Sequence, residues 1–373
     1  MVHTDFQRLR AFTLRKAWQL LLVLLPSAVC AQDIAGTLKS VRGEATLERA
    51  GARRPARLGE ALYEKDRLLT GSDGHAGVAL QDQSVLAIGP RSDIALSRYK
   101  FSATTHQGQQ QVQMRSGTLA AISGKLAKAN PETVQFNAGS VTLGVRGTQF
   151  LMDIRPQADA SAVSHWTDTG GQAIRSQSGQ CWQTSHSGTD SGSECNPDRF
   201  VLLPDREGQV GRIVLQTPAQ SVILQTAYAG AEASARQLQS VALSGDDVRQ
   251  RYRALLDTLP PAPRLFVVRF LSGSATELSP ESLAVLEEVR TAIAQWPVVA
   301  DVSVVGHTDT VGELHRNDAL SLERARSVSQ LLQANGINPD HLHTSGRGER
   351  QPVVATPDET PEPQNRRVEI TVY

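Results

Sequence analysis

The residues best suited to chemistry lie close together, in the stretch GHTDTVGELHRNDALSLERARSV at positions 306–328. His307, Thr308 and Asp309 leave the end of a strand-like run, ADVSVVG, and so sit on a loop. Asn317 and Arg324 follow in a helical pattern, seven residues apart. That is about two helical turns, which puts both on one face. The pattern sets a carboxylate on a loop opposite a guanidinium on a helix. Nucleophilic catalysis is not on offer, because no serine sits on a G-x-S-x-G elbow. Metal ligation is poorly served, since His315 stands alone. Two readings remain open. In one, Asp309 and Arg324 form an ion pair that staples loop to helix. In the other, each serves one end of a zwitterionic ligand. The carboxylate then takes an ammonium, and the planar guanidinium takes a carboxylate bidentately.

The elements that must hold these residues can be read on either side. LPPAP at 259–263 marks a boundary, because paired prolines cannot continue a helix. RLFVVRF then reads as a strand. SPESLAVLEEVRTAIAQW reads as a helix, with Ser279 as cap, Pro280 in the first turn and Leu286, Val289, Ile293 and Trp296 on one face. After the strand ADVSVVG, NDALSLERARSVSQLLQANG predicts a second helix. Ala325, Val328 and Leu332 point inward, and Gly336 is a C-terminal stop. HLHTSGRG and RRVEITVY supply the last strands. Residues 264–373 should therefore form an α/β sandwich with helices on one side of a mixed sheet.

The N-terminal part has a different texture. Runs such as HAGVALQ (Ala76, Val78, Leu80), TVQFN (Val134, Phe136) and TQFLMDI (Phe150, Met152, Ile154) alternate apolar and polar residues. Breaks such as TGSDG and IGPRSD separate them, which is the spacing of an all-β domain. Its core should span residues 34–154 and its strand-like runs continue to about 226. From 227 to 258 the chain turns to Ala, Gln, Arg and Leu without proline, which predicts a helical linker closed by the prolines, 227–263 overall.

Arg8, Arg10, Arg15 and Lys16 precede an apolar run, Trp18 to Val29, followed by small residues. This is the layout of a secretory signal peptide over 1–31. The run is too short to span a bilayer, and no later segment is an apolar helix of spanning length. A lipidated Cys30 is disfavoured by Ser27 and Val29. Removal of the leader leaves Cys181 and Cys195, an even pair that reads as a disulfide in an exported protein. The formal net charge is zero, so no basic field points to nucleic acid. Only eight aromatics lie between Gln32 and Thr226, too few for the girdles of an outer-membrane barrel.

Residues 264–373 resemble the OmpA-like C-terminal domain. The resemblance rests on VVGHTDTVGELHRNDALSLERARSVSQLLQANGI, GRGERQPV and NRRVEI, with RFLSGSATELSPESLAVLEEV at the family's opening strand, loop and helix. It implies non-covalent binding of peptidoglycan, with Asp309 and Arg324 gripping the amino-acid head of diaminopimelate. Asn317 matches a supporting position and Arg366 a position near the pocket. Asn365, Arg367 and His307 read as structure. The chain departs from the family at Thr356, in the acidic, proline-rich insert ATPDETPEPQ, and at Gly273 and Ser274, which leave mostly backbone in the first loop.

Residues 34–154 resemble a FecR-type periplasmic domain, carried by Asp66 to Gly71, Asp82 to Gly89 and Gly144 to Phe150. The family's Asp-Gly-Ser is Asp82-Gln83-Ser84 here. Gly117, Gly144 and Gly147 should serve turns or bulges, and Arg146 should be buried against turn carbonyls. Together these readings describe a multidomain, non-enzymatic periplasmic protein, associated with the cell wall or outer membrane. It needs no cofactor or metal, holds peptidoglycan, and presents a FecR-type surface to an envelope protein. The alternative is a FecR-type sensor or ligand-binding protein merely tethered to the wall.

Overall fold

Two kinds of hydrophobic period in the sequence produce two kinds of layer. The computed structural model describes residues 33–155 and 197–373, except 206, 235, 236, 272, 273, 275 and 298. The leader with Cys30, and the Cys181–Cys195 pair, lie outside the described residues. Asp33–Tyr373 form one compact unit, mostly β in its N-terminal part.

The N-terminal part is built from twisted antiparallel strands whose inner faces meet in one apolar core, with Leu38, Leu47, Phe136, Phe150, Phe200 and Leu215 among its buried members. The period of two is clear in Val141–Arg146, where Val141, Leu143 and Val145 are buried and the intervening residues are not. The alternation explains two departures from expectation. Arg146 falls on the outward phase and is exposed, not buried against carbonyls. Gly144 lies mid-strand opposite Val214, with no turn or bulge. Gly117 does need its glycine. Its φ is +94°, and a Cβ there would overlap Ser92. At this point the long strand Gly108–Ile122 changes partners, from the strands Asp93–Phe101 and Val134–Ala138 to Val85–Ile88 and Gln149–Ile154.

The stretch expected to be a helical linker is largely not one. Ala229–Ala233 and Leu238–Ala242 are paired strands, and helix is confined to Gly245–Arg251 and Arg253–Leu256. Helix propensity is a weak prior. Here it loses to sheet extension, because Ala229–Ala233 pairs with Asp198–Leu203 and buries Ala231 and Ala233. The two short helices do not hang free either. Val248, Tyr252 and Leu255 pack on Ala87, Ala120, Leu151 and Val201, the outer face of the β part. This cover explains why Val85–Ile88 is buried on both faces.

The C-terminal part is a four-stranded sheet in the order Arg264–Val268, Val368–Val372, Val302–Gly306, Leu342–Gly346. Only the last two neighbours run parallel. Helices Pro280–Ala294 and Leu314–Ala334 lie on one face, capped in the first case by Ser279 accepting from the Ser282 amide. Between them and the sheet Val289, Val302, Val304, Val328, Leu332 and Ile370 are buried. Among the described residues no helix is long and apolar enough to cross a membrane.

Candidate functional site

The long helix sits unusually close to the strand ends. A Cβ at Gly306 would overlap the Ser321 carbonyl oxygen, and one at Gly346 would crowd the Leu322 backbone. Ser321 is fully buried there and accepts from the Gly348 amide at 2.9 Å. This contact brings the first turns of the helix, with Asn317, and the later Arg324 up against the loop that leaves Gly306.

On that loop Asp309 is 7% exposed. Its Oδ2 accepts from Arg366 Nη1 at 2.8 Å and from the Glu362 amide at 3.2 Å. Asp309 therefore has an ion-pair partner, and it is Arg366 rather than Arg324. Arg324 is 6% exposed, with Nη2 donating weakly to the Ser274 carbonyl at 3.4 Å. Among the described residues its Nε and Nη1 are buried without a partner, while its guanidinium lies 5.8 Å from the centre of the Phe270 ring. Burial pushes this group down from its ordinary value and Arg366 adds to the effect, against the opposing pull of Asp309 and Glu323. Thr308 Oγ1, also buried, has no partner among the described residues. Asn317 donates to Glu349 Oε2 at 2.6 Å and to the Gly312 carbonyl.

The structure thus brings Asp309, Asn317, Arg324 and Arg366 to one end of the sheet. It also adds groups that spacing did not reveal: the Ser274 carbonyl, Glu349 and the Glu362 amide. The acidic insert is part of this wall. Thr310 Oγ1 donates to the Pro357 and Thr360 carbonyls, and Gly312 N donates to Glu359. The insert was visible as a departure, but nothing in its spacing tied it to Thr310. His307 belongs elsewhere. It is fully buried, with Nε2 3.7 Å from Glu369. Asn365 clasps the Val353 and Val354 amides, and Arg367 bonds Glu369 at 2.6 Å. Among the described residues no cluster of three His, Cys, Asp or Glu could hold a metal.

Residues 269–366 match the OmpA family, and residues 66–167 match the FecR protein family. The OmpA-family segment is 37% identical over 105 residues to a probable lipoprotein, YiaD, of Escherichia coli K12, covering 28% of this chain and 47% of that protein. It is 35% identical over 100 residues to the peptidoglycan-binding protein ArfA of Mycobacterium tuberculosis H37Rv, covering 27% of this chain and 30% of that one. The chain thus spans less than half the length of these two curated relatives. Among solved structures, the peptidoglycan-associated lipoprotein of Burkholderia pseudomallei is 25% identical, covering 29% of this chain and 89% of that one with a TM-score of 0.26. The OmpA-family match contains all four candidate residues.

Proposed function

We propose that this is a periplasmic, non-enzymatic component of the cell envelope that holds peptidoglycan non-covalently through the diaminopimelate of its stem peptide. Arg324 carries the reading. A buried guanidinium with two donors left without a partner among the described residues is costly to leave so, and a carboxylate that accepts from Nη2 together with one of them lowers that cost. Asp309 supplies the complementary charge. Both its contacts fall on Oδ2, which turns the second oxygen to an incoming ammonium. Arg366 and the Glu362 amide hold the carboxylate in place, and Asn317 fixes the loop through the Gly312 carbonyl. The OmpA-family match and the relative whose name states peptidoglycan binding support peptidoglycan as the ligand. The FecR-type part presents an interaction surface to an envelope protein.

The test is co-sedimentation with purified diaminopimelate-type sacculi. Asp309→Asn keeps the size of the side chain and removes its charge. Loss of one charge-assisted contact, about 1.5–3 kcal/mol, weakens binding roughly ten- to a hundred-fold. Binding by Asp309→Asn at the wild-type level would overturn the assignment.

A further inference from the structure

The sheet of the C-terminal part has a second face, away from its helices, and that face is polar. Strand pairing sets its residues in rows: His343, Ser303 and Thr371, then Ser345, Val305 and Glu369. Beyond the strands, Arg347 donates its amide to the Gly306 carbonyl and His307 donates to the Arg367 carbonyl, which continues the rows with three basic side chains. A polar face of this kind ordinarily meets water. Here Ser303, Val305, His307, Ser345, Arg347 and Thr371 are all buried.

The β-rich part supplies the cover. Lys39, 2% exposed, makes a 2.8 Å ion pair with the buried Asp301 and donates to the Val299 carbonyl at 2.8 Å. Asp301 is shared with His341, at 2.8 Å. At the other end Arg347 Nη1 donates to the Ala103 carbonyl at 3.1 Å. His106, from the same loop as Ala103, is buried, and the charges of Arg347 and Lys125 act on it.

We propose that this seam is an acid-opened clasp, in which protonation of His106, aided by His307 and His343, parts the β-rich and sheet–helix parts reversibly and uncovers the polar sheet face. Two features make the closed seam weak at neutral pH. It keeps a buried ion pair whose desolvation offsets much of its attraction. Among the described residues it also leaves His307 Nδ1 and Nε2, Ser345 Oγ and Arg347 Nε without hydrogen-bond partners, groups that water would satisfy on opening.

The sign follows from what faces each histidine. His106 faces Arg347, Lys125 and His307, with Glu369 the one acid among the described residues. His307 faces Glu369, Arg367 and Arg347. His343 faces Asp301, Lys39 and His341. Burial holds His106 down to about 3, Arg347 and Lys125 adding to it, and burial lowers the other two as well. The closed form binds fewer protons than the open one. Closure is therefore fully favoured above the ordinary histidine value and weakens as pH falls below it, down to about 3 for His106. From pH 7.5 to 5, His106 alone raises the open-to-closed ratio by about 30-fold, taking an open-state value of about 6.5. Glu369 offsets part of the effect at His307, which makes His106 the main trigger.

Small-angle scattering of the purified protein between pH 7.5 and 5, at constant ionic strength, tests the clasp. Reversible growth of the radius of gyration on acidification is expected, with the rise moved to lower pH in His106→Gln. His343→Gln, on the opposite side of the seam, gives a smaller displacement in the same direction. Far-UV circular dichroism, unchanged across the range, separates opening from unfolding. An unchanged radius at pH 5, or one and the same pH midpoint for wild type and both variants, would overturn the proposal.

Discussion

Arg324→Met separates binding from stability in a direction that a structural role would not produce. The substitution keeps an unbranched apolar stem against Phe270 and removes the charge. In the free protein that charge is 6% exposed and, among the described residues, bonded only to the Ser274 carbonyl at 3.4 Å, with Nε and Nη1 unpartnered. Arg366 repels it and Asp309 is already engaged. A buried charge without a close partner is a net liability, and replacing such groups by apolar ones of similar volume is neutral or stabilising by roughly 1–4 kcal/mol. The low end, about 1 kcal/mol, applies because the pull of Asp309 and Glu323 offsets part of the cost of burial. For a chain of 373 residues that raises the melting temperature by about 1–2 °C. Binding moves the other way. Two charge-assisted hydrogen bonds at about 1.5 kcal/mol each amount to about 3 kcal/mol, or roughly a hundred-fold in affinity. Differential scanning calorimetry and sacculus co-sedimentation on the same preparation read both quantities. A melting temperature lowered by several degrees, with sacculus binding retained, would refute the reasoning and return Arg324 to the role of a staple.

Gln83→Gly should stabilise the β-rich part by about 1 kcal/mol, because Gln83 holds a φ of +67° where a side chain is strained; a chemical denaturation midpoint at or below wild type counts against this. Gly306→Ala should cost several kcal/mol, of the order seen for overpacked cores, and should abolish sacculus binding as well, because the added methyl displaces the helix that carries Asn317 and Arg324. Wild-type melting and binding in that variant would show that the close approach at Ser321 does not position the site.

The candidate site was legible in the sequence to the extent that it is local. Asp309 follows a strand by a fixed number of residues, and Asn317 and Arg324 share a face of one helix. Both relations follow from backbone periodicity alone. The partner of Asp309 does not. Arg366 lies 57 residues further on, and only the antiparallel entry of the last strand beside Val302–Gly306 brings it near. For the same reason the ion pair that local spacing suggested, Asp309 with Arg324, gives way to one that spacing could not suggest.

The fold divides along the same line. Periods of two and of 3.6 determined where the sandwich strands and the two long helices of the C-terminal part fall, because each period reports which face a side chain presents. Composition misled where the energy came from a neighbour. The alanine-rich run after residue 226 satisfies a helix, yet Ala231 and Ala233 gain more as a strand beside Phe200. The polar phase of Val302–Gly306 and Leu342–Gly346 reads as a solvent face, and in isolation it would be one. Only the packing of Lys39 and of the loop that carries Ala103 and His106 over it decided otherwise. Burial depends on what the rest of the chain brings to a surface, and no period within a strand records that.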